Sequence, residues 1–284
     1  MADDDSWVLP PKFAERARRF AAGDLDVVPA RPASTVILLQ DSRAGIEAYM
    51  LRRRSTMAFA AGMYAFPGGG VDERDVAGEG VAWSGPDVGE WARRLGTDEP
   101  ASRGFVCAAV RETFEEANVL LTDPIVDPSG PEWDAARRTL VDREQAFSQF
   151  LDRRGLAINS DLLAAWAHWI TPRFEERRYD TWFFVASVPP GQEPQDVSGE
   201  ADRAAWMRPA DAVAAARRDE VAMLPPTRVV LNELASFASV KEVSAAAAGR
   251  TIEPIMPAWR DDGDAVRVLL PGDPGFPGDD LARA

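Results

Sequence analysis

One cysteine and one histidine in 284 residues remove several chemistries at the outset. A single thiol, Cys107, cannot build an internal disulfide framework and suits a reducing compartment. It lies on an apolar stretch and reads as a small buried residue rather than a nucleophile. With His168 as the sole imidazole, zinc chemistry and Ser-His-Asp or Cys-His catalysis are disfavoured, and His168 itself, beside Trp166 and Trp169, reads as a packed strand-end residue. Basic charge is scarce too. There are 32 Lys and Arg against 46 Asp and Glu, a net charge of −14, the opposite of what nucleic-acid phosphates demand. No apolar run reaches about 18 residues, so no membrane span is expected. The opening Met-Ala-Asp-Asp-Asp reverses a basic secretory leader, and the closing Leu-Ala-Arg-Ala is not a Ser-Lys-Leu address; a cytoplasmic location is the expectation. Much of the acidity sits at Asp3 to Asp5 and Asp279 to Asp280, read as solvated runs that need not describe a binding site. The 46% apolar content suffices for a full core with additions.

What is present is concentrated in Cys107-Ala-Ala-Val-Arg-Glu-Thr-Phe-Glu-Glu-Ala-Asn-Val-Leu-Leu121. On a helix, Glu112, Glu115 and Glu116 stand at i, i+3 and i+4, crowding three carboxylates on one face. Like charges so placed repel, and a hard divalent cation removes the conflict. Arg111, four residues before Glu115, can brace it. Upstream, Tyr64-Ala-Phe-Pro-Gly-Gly-Gly-Val-Asp72 places three glycines after a strand-like run, where backbone can approach a ligand and carbonyls can face a cation.

Together these segments resemble the Nudix box, Gly-x5-Glu-x7-Arg-Glu-U-x-Glu-Glu-x-Gly-U with U apolar. Two departures stand out. Between Gly69 and Arg111 lie 41 residues where the box has 13, an excess of 28. The box's isolated Glu then has no clear equivalent, with Asp72, Glu73 and Asp75 as candidates. Its final glycine is Asn118, a mild change, since Asn tolerates the left-handed conformation that ends such a helix. A split box resembles the motif-19 branch, the peroxisomal coenzyme A diphosphatases of animals and their bacterial relatives. The likeness continues through His168-Trp-Ile-Thr-Pro-Arg-Phe-Glu-Glu-Arg-Arg-Tyr-Asp-Thr-Trp-Phe-Phe184, Leu224-Pro-Pro-Thr227, Leu234-Ala-Ser-Phe-Ala-Ser-Val240 and Val268-Leu-Leu-Pro-Gly-Asp273.

The resemblance implies an α/β fold: a Nudix-like α/β/α sandwich with a mixed sheet, a helical insertion inside the box and extra C-terminal helices. The expected organisation is an N-terminal lead at 1–30 with a helix near Pro11 to Ala22, one hydrolase domain at 31–273, and a flexible tail at 274–284. Within the domain, 73–100 is the box insertion, with a helical patch at Val88 to Leu95. The box helix is expected from Ser102 to Ala117, a helical insertion packed outside the core at 131–155, and helices with strands at 209–270. Strands are expected at Ser34 to Gln40, Ile46 to Arg53 and Thr181 to Val188. Most tryptophans read as core.

The chemistry follows from charge. Hydrolysing a pyrophosphate builds negative charge, which bare carboxylates would repel. One to three Mg²⁺ or Mn²⁺ ions held by Glu112, Glu115, Glu116 and the Gly69 carbonyl would reverse the sign and acidify a water. Arg111 completes the catalytic set. Glu200 lies where many Nudix enzymes place a further loop acid, and either it or Glu112 would take the proton. Arg53, at a strand end before the glycine turn, and Arg178, in the Arg-aromatic-Asp pattern, are the substrate-phosphate candidates. The implied substrate is coenzyme A or acyl-CoA, a small-molecule nucleoside diphosphate conjugate, with no nucleic-acid or membrane partner. NADH or ADP-ribose, or a non-catalytic nucleotide-binding regulator, are the alternatives. Nudix enzymes are often dimers, which leaves a homodimer open.

Overall fold

A computed structural model describes residues 7–56, 60–77 and 80–277. The acidic runs Asp3 to Asp5 and Asp279 to Asp280 fall outside these, as does part of the expected 274–284 tail. Packing divides the chain into two units, one of residues 1–32, 168–181 and 253–284, the other of 33–167 and 182–252.

The larger unit carries most of a sheet whose strands run in the order Ala201–Met207, Gly45–Arg53, Arg31–Ser42, Tyr179–Ser187, Ala164–Ile170. Val36, Ile37, Leu38 and Leu39 are fully buried, the continuous apolar run of a strand covered on both faces. Arg31–Ser42 and Gly45–Arg53 form an antiparallel pair, and Ala201–Met207 pairs antiparallel with the latter. The short strand Gly68–Gly70 adds to this sheet, with Ser34 opposite Gly69.

The box helix spans Glu99–Ala117, starting earlier than expected because Asp98 caps it, accepting from the Ala101 amide at 2.8 Å, with Pro100 in the first turn. It ends where Asn118 turns left-handed, φ 54° and ψ 29°. Gly104 lets it approach closely, since a β-carbon there would lie 2.8 Å from Val76 and 2.9 Å from Val71. The expected patch Val88–Leu95 is a helix capped by Asp87. A one-turn helix, Glu73–Val76, was not expected; reciprocal bonds between Asp72 and Asp75 form its capping box.

Residues 131–154 correct an expectation. They form two helices, Pro131–Val141 and Phe147–Arg154, and lie inside the main core rather than outside it: Leu140, Phe147, Phe150 and Leu151 are buried in the same cluster as Phe114 and Trp91. The aromatic side chains supply enough apolar area to be drawn in. Beyond Pro209–Arg217 and Pro225–Leu234, a third helix, Val240–Ala248, starts at Ser239, whose hydroxyl accepts from the Glu242 amide.

In the smaller unit, Trp7–Val8 pairs with Val266–Leu269, which pairs with Ala258–Asp261. The lead is therefore tied down within this unit, and helix Pro11–Ala21 buries Ala14 and Ala17 with Phe174 and Val266. Pro254–Ile255 runs parallel to His168 and Trp169. Among the described residues, no helix is long and apolar enough to cross a membrane.

Candidate active site

Local geometry alone puts Glu112, Glu115 and Glu116 on one face of the box helix; packing puts the glycine strand against that face. A β-carbon at Gly69 would lie 2.6 Å from the Cδ and both carboxylate oxygens of Glu112, so any larger residue would push that carboxylate aside. Next to it, the Gly68 amide donates to Glu116 Oε2 at 3.0 Å. Ser34, opposite Gly69, donates its hydroxyl to the Phe105 carbonyl at 2.7 Å and ties the strand to the helix.

Arg111 organises the acids. Its Nη1 donates to Glu112 Oε1 at 2.7 Å and Glu115 Oε2 at 3.3 Å, its Nη2 to the Gly70 carbonyl at 2.9 Å. Its other edge meets Asp75, with Nε to Oδ1 at 3.1 Å and Nη2 to Oδ2 at 2.8 Å, a bidentate fork. Burial would lower Arg111, but Glu112, Asp75 and Glu115 together hold it above its usual range.

Among the three candidates for the missing acid, the structure thus singles out Asp75. Asp72 instead caps the one-turn helix and binds Arg74, while Glu73 is exposed. The signal was in the spacing: Asp75 follows Gly69 by the box's five intervening residues. Between Asp75 and Arg111 stand 35 residues, where the box has seven.

Burial pushes Glu115 up to about 7 and Glu116 up to about 8, and it raises Glu112. Glu200 adds to this at Glu112 and Glu116 by charge, and Arg53 opposes it at Glu116, so both lie within electrostatic reach of the cluster. Arg53 Nη2 stands 3.8 Å from Glu200 Oε2. Arg178 belongs to the smaller unit. It is buried and donates to the carbonyls of Thr171 and Val28 at 3.0 and 2.8 Å, an anchoring arrangement for its own strand. His168 bonds Asp180, and the Cys107 thiol is buried and raised by that burial.

The donor set fits a hard divalent cation. All its atoms are oxygens, and Glu115 Oε1 is buried without a hydrogen-bond partner. Among the described residues, no three carboxylate, thiol or imidazole side chains already converge as a closed ligand set. Arg111 instead spans Glu112 and Glu115.

A glycine strand pressed on an Arg-Glu-x-x-Glu-Glu helix, with an acid six residues past the glycine, is the Nudix-box arrangement, and the family model described as NUDT19 Nudix domain matches residues 89–234, more than half of the chain. This chain belongs to the NUDT19 Nudix family. Relatives agree. The acyl-coenzyme A diphosphatase NUDT19 of Gallus gallus is 28% identical, over 82% of this chain and 73% of that protein. That of Homo sapiens is 28% identical, over 81% and 72%. A solved Nudix hydrolase from Alicyclobacillus acidocaldarius matches with TM-score 0.63 at 27% identity, covering 77% of this chain and 96% of that one. The chain is an α/β protein with the Nudix fold.

Proposed function

We propose that this Nudix diphosphatase hydrolyses the pyrophosphate linkage of coenzyme A or acyl-CoA to a phosphopantetheine species and an adenosine bisphosphate. The observation that carries the chemistry is Glu112 pressed on Gly69 beside Glu115 and Glu116, with Arg111 gripping Glu112 and Glu115. The substrate rests on relatives named for acyl-CoA diphosphatase activity over most of their length.

Glu112, Glu115 and Glu116, with the Gly69 carbonyl and Glu200 as further ligands, would hold Mg²⁺ or Mn²⁺, which would supply positive charge to the diphosphate and acidify a water. The residues do the rest. Asp75 and Arg111 hold Glu112 in place, and the Gly68 amide holds Glu116. Arg53 offers its guanidinium to a phosphoryl oxygen. Water oxygen bonds to one phosphorus as the bridging P–O bond breaks, and the water's proton passes to Glu200 or Glu112.

Incubating the protein with CoA, NADH and ADP-ribose under Mg²⁺, Mn²⁺ or EDTA, with products separated by chromatography, tests this. CoA cleavage abolished by EDTA is expected. Faster turnover of ADP-ribose or NADH would replace the substrate; nucleotide binding without turnover would make the domain a regulator.

A further inference from the structure

Three consecutive arginines end the strand Gly45–Arg53 and its exit, and they are not equally engaged. Arg52 Nε donates to Asp202 at 2.6 Å, and Arg54 Nε donates to the Ala201 carbonyl at 3.2 Å. Arg53 Nε is buried and has no hydrogen-bond partner. Its Nη2 faces Glu200 at 3.8 Å, an ion pair too long for a hydrogen bond. A buried N–H without an acceptor is costly, and a guanidinium offers paired donors suited to a phosphate edge.

The backbone around this pair is pinned. The Arg53 amide donates to Met63 O at 2.9 Å, its carbonyl accepts from Gly62 at 2.9 Å, and the Arg54 amide donates to Glu200 O at 2.8 Å. Motion is therefore left to the two side chains. Both lie within electrostatic reach of Glu116.

We propose that Arg53 exchanges partners on binding: its guanidinium leaves Glu200 for a phosphoryl oxygen of the substrate, so that the arriving anion itself releases the Glu200 carboxylate into the site. This rests on the diphosphatase reading and adds to it a competition, in which Glu200 holds Arg53 until a diphosphate replaces it. A phosphate oxygen gives the unpartnered Nε an acceptor and matches the fork with two parallel bonds, which the single 3.8 Å contact does not.

A double-mutant cycle on KM for CoA at saturating Mn²⁺ tests the exchange. Arg53→Gln should raise KM about tenfold or more with kcat changed far less, and Arg53→Lys, which keeps charge but loses the fork, should fall between. Glu200→Gln removes the competitor and should lower KM about threefold in the wild-type background, whatever it does to kcat, and leave KM unchanged when Arg53 is already Gln. Melting temperatures near wild type check that the variants fold. An equal effect of Glu200→Gln on KM in both backgrounds, or an unchanged KM in Arg53→Gln, overturns the exchange while diphosphatase activity stands. Failure of the wild-type protein to cleave CoA, NADH or ADP-ribose overturns the underlying reading, and the exchange with it.

Discussion

The Glu112 carboxylate stands where a side chain at Gly69 would begin. A methyl there would sit 2.6 Å from all three terminal atoms of that side chain and would push the carboxylate from the position in which it holds its 2.7 Å bond to Arg111. Gly69→Ala should therefore lower kcat on the order of a hundredfold, the scale of one lost electrostatic contact at a reaction centre. Overpacking should cost about 1–3 kcal/mol besides. Steady-state kinetics and urea unfolding measure the two, and near-normal turnover would remove Glu112 from the site. The residue types were legible from the chain alone: carboxylates, glycines and Arg111 announced themselves by spacing. The partners of Arg178 were not, because only folding brings the backbone carbonyls of Thr171 and Val28 to it.

Helix ends show how far pattern reaches at the next level up. Asp98 and Asn118 bracket the box helix, and both belong to residue types that favour those positions. Asn118 also accepts from buried Arg137 at 2.6 Å, which no local rule contains. Asn118→Ala should cost about 1–2 kcal/mol for the left-handed backbone, and more through the stranded Arg137. Asn118→Gly should relieve the backbone part and keep only the loss at Arg137. If urea unfolding ranks glycine below alanine, the cap geometry is not what matters. The helical character of 131–155 was visible, but its division into two helices and its burial were not. Amphipathic spacing says that a face will be covered, while the partners of Phe150, Trp133 on the preceding helix and Phe114 on the box helix, are chosen by folding.

For the molecule as a whole, acid crowding couples stability to pH and to cations. Burial lifts Glu115 to about 7 and Glu116 to about 8, above the ordinary 4.5, and Glu175 in the smaller unit to about 7 for the same cause. Carboxyls raised by folding favour the folded state below their unfolded value, and that contribution is lost as pH climbs through the folded values. Metal-free protein should thus melt at progressively lower temperature from pH about 5 to about 8, while the stabilisation by Mn²⁺ grows over the same window because its ligands must ionise. Thermal melts in EDTA and in Mn²⁺ check this; a metal-free melting temperature that rises across the window would contradict it. The sequence by itself determined the carboxylate face, the glycine turn, the principal strand pair and the class of chemistry, since each is written within a few helical turns or one hairpin. Only the tertiary structure decided that Asp75 grips Arg111 across 35 intervening residues, that Glu200 and Arg53 lie within electrostatic reach of Glu116, and that residues 7–32 pack with 168–181 and 253–277. The physical reason is range: backbone geometry sets neighbours three or four positions apart, whereas distant partners are chosen by which surfaces exclude water together.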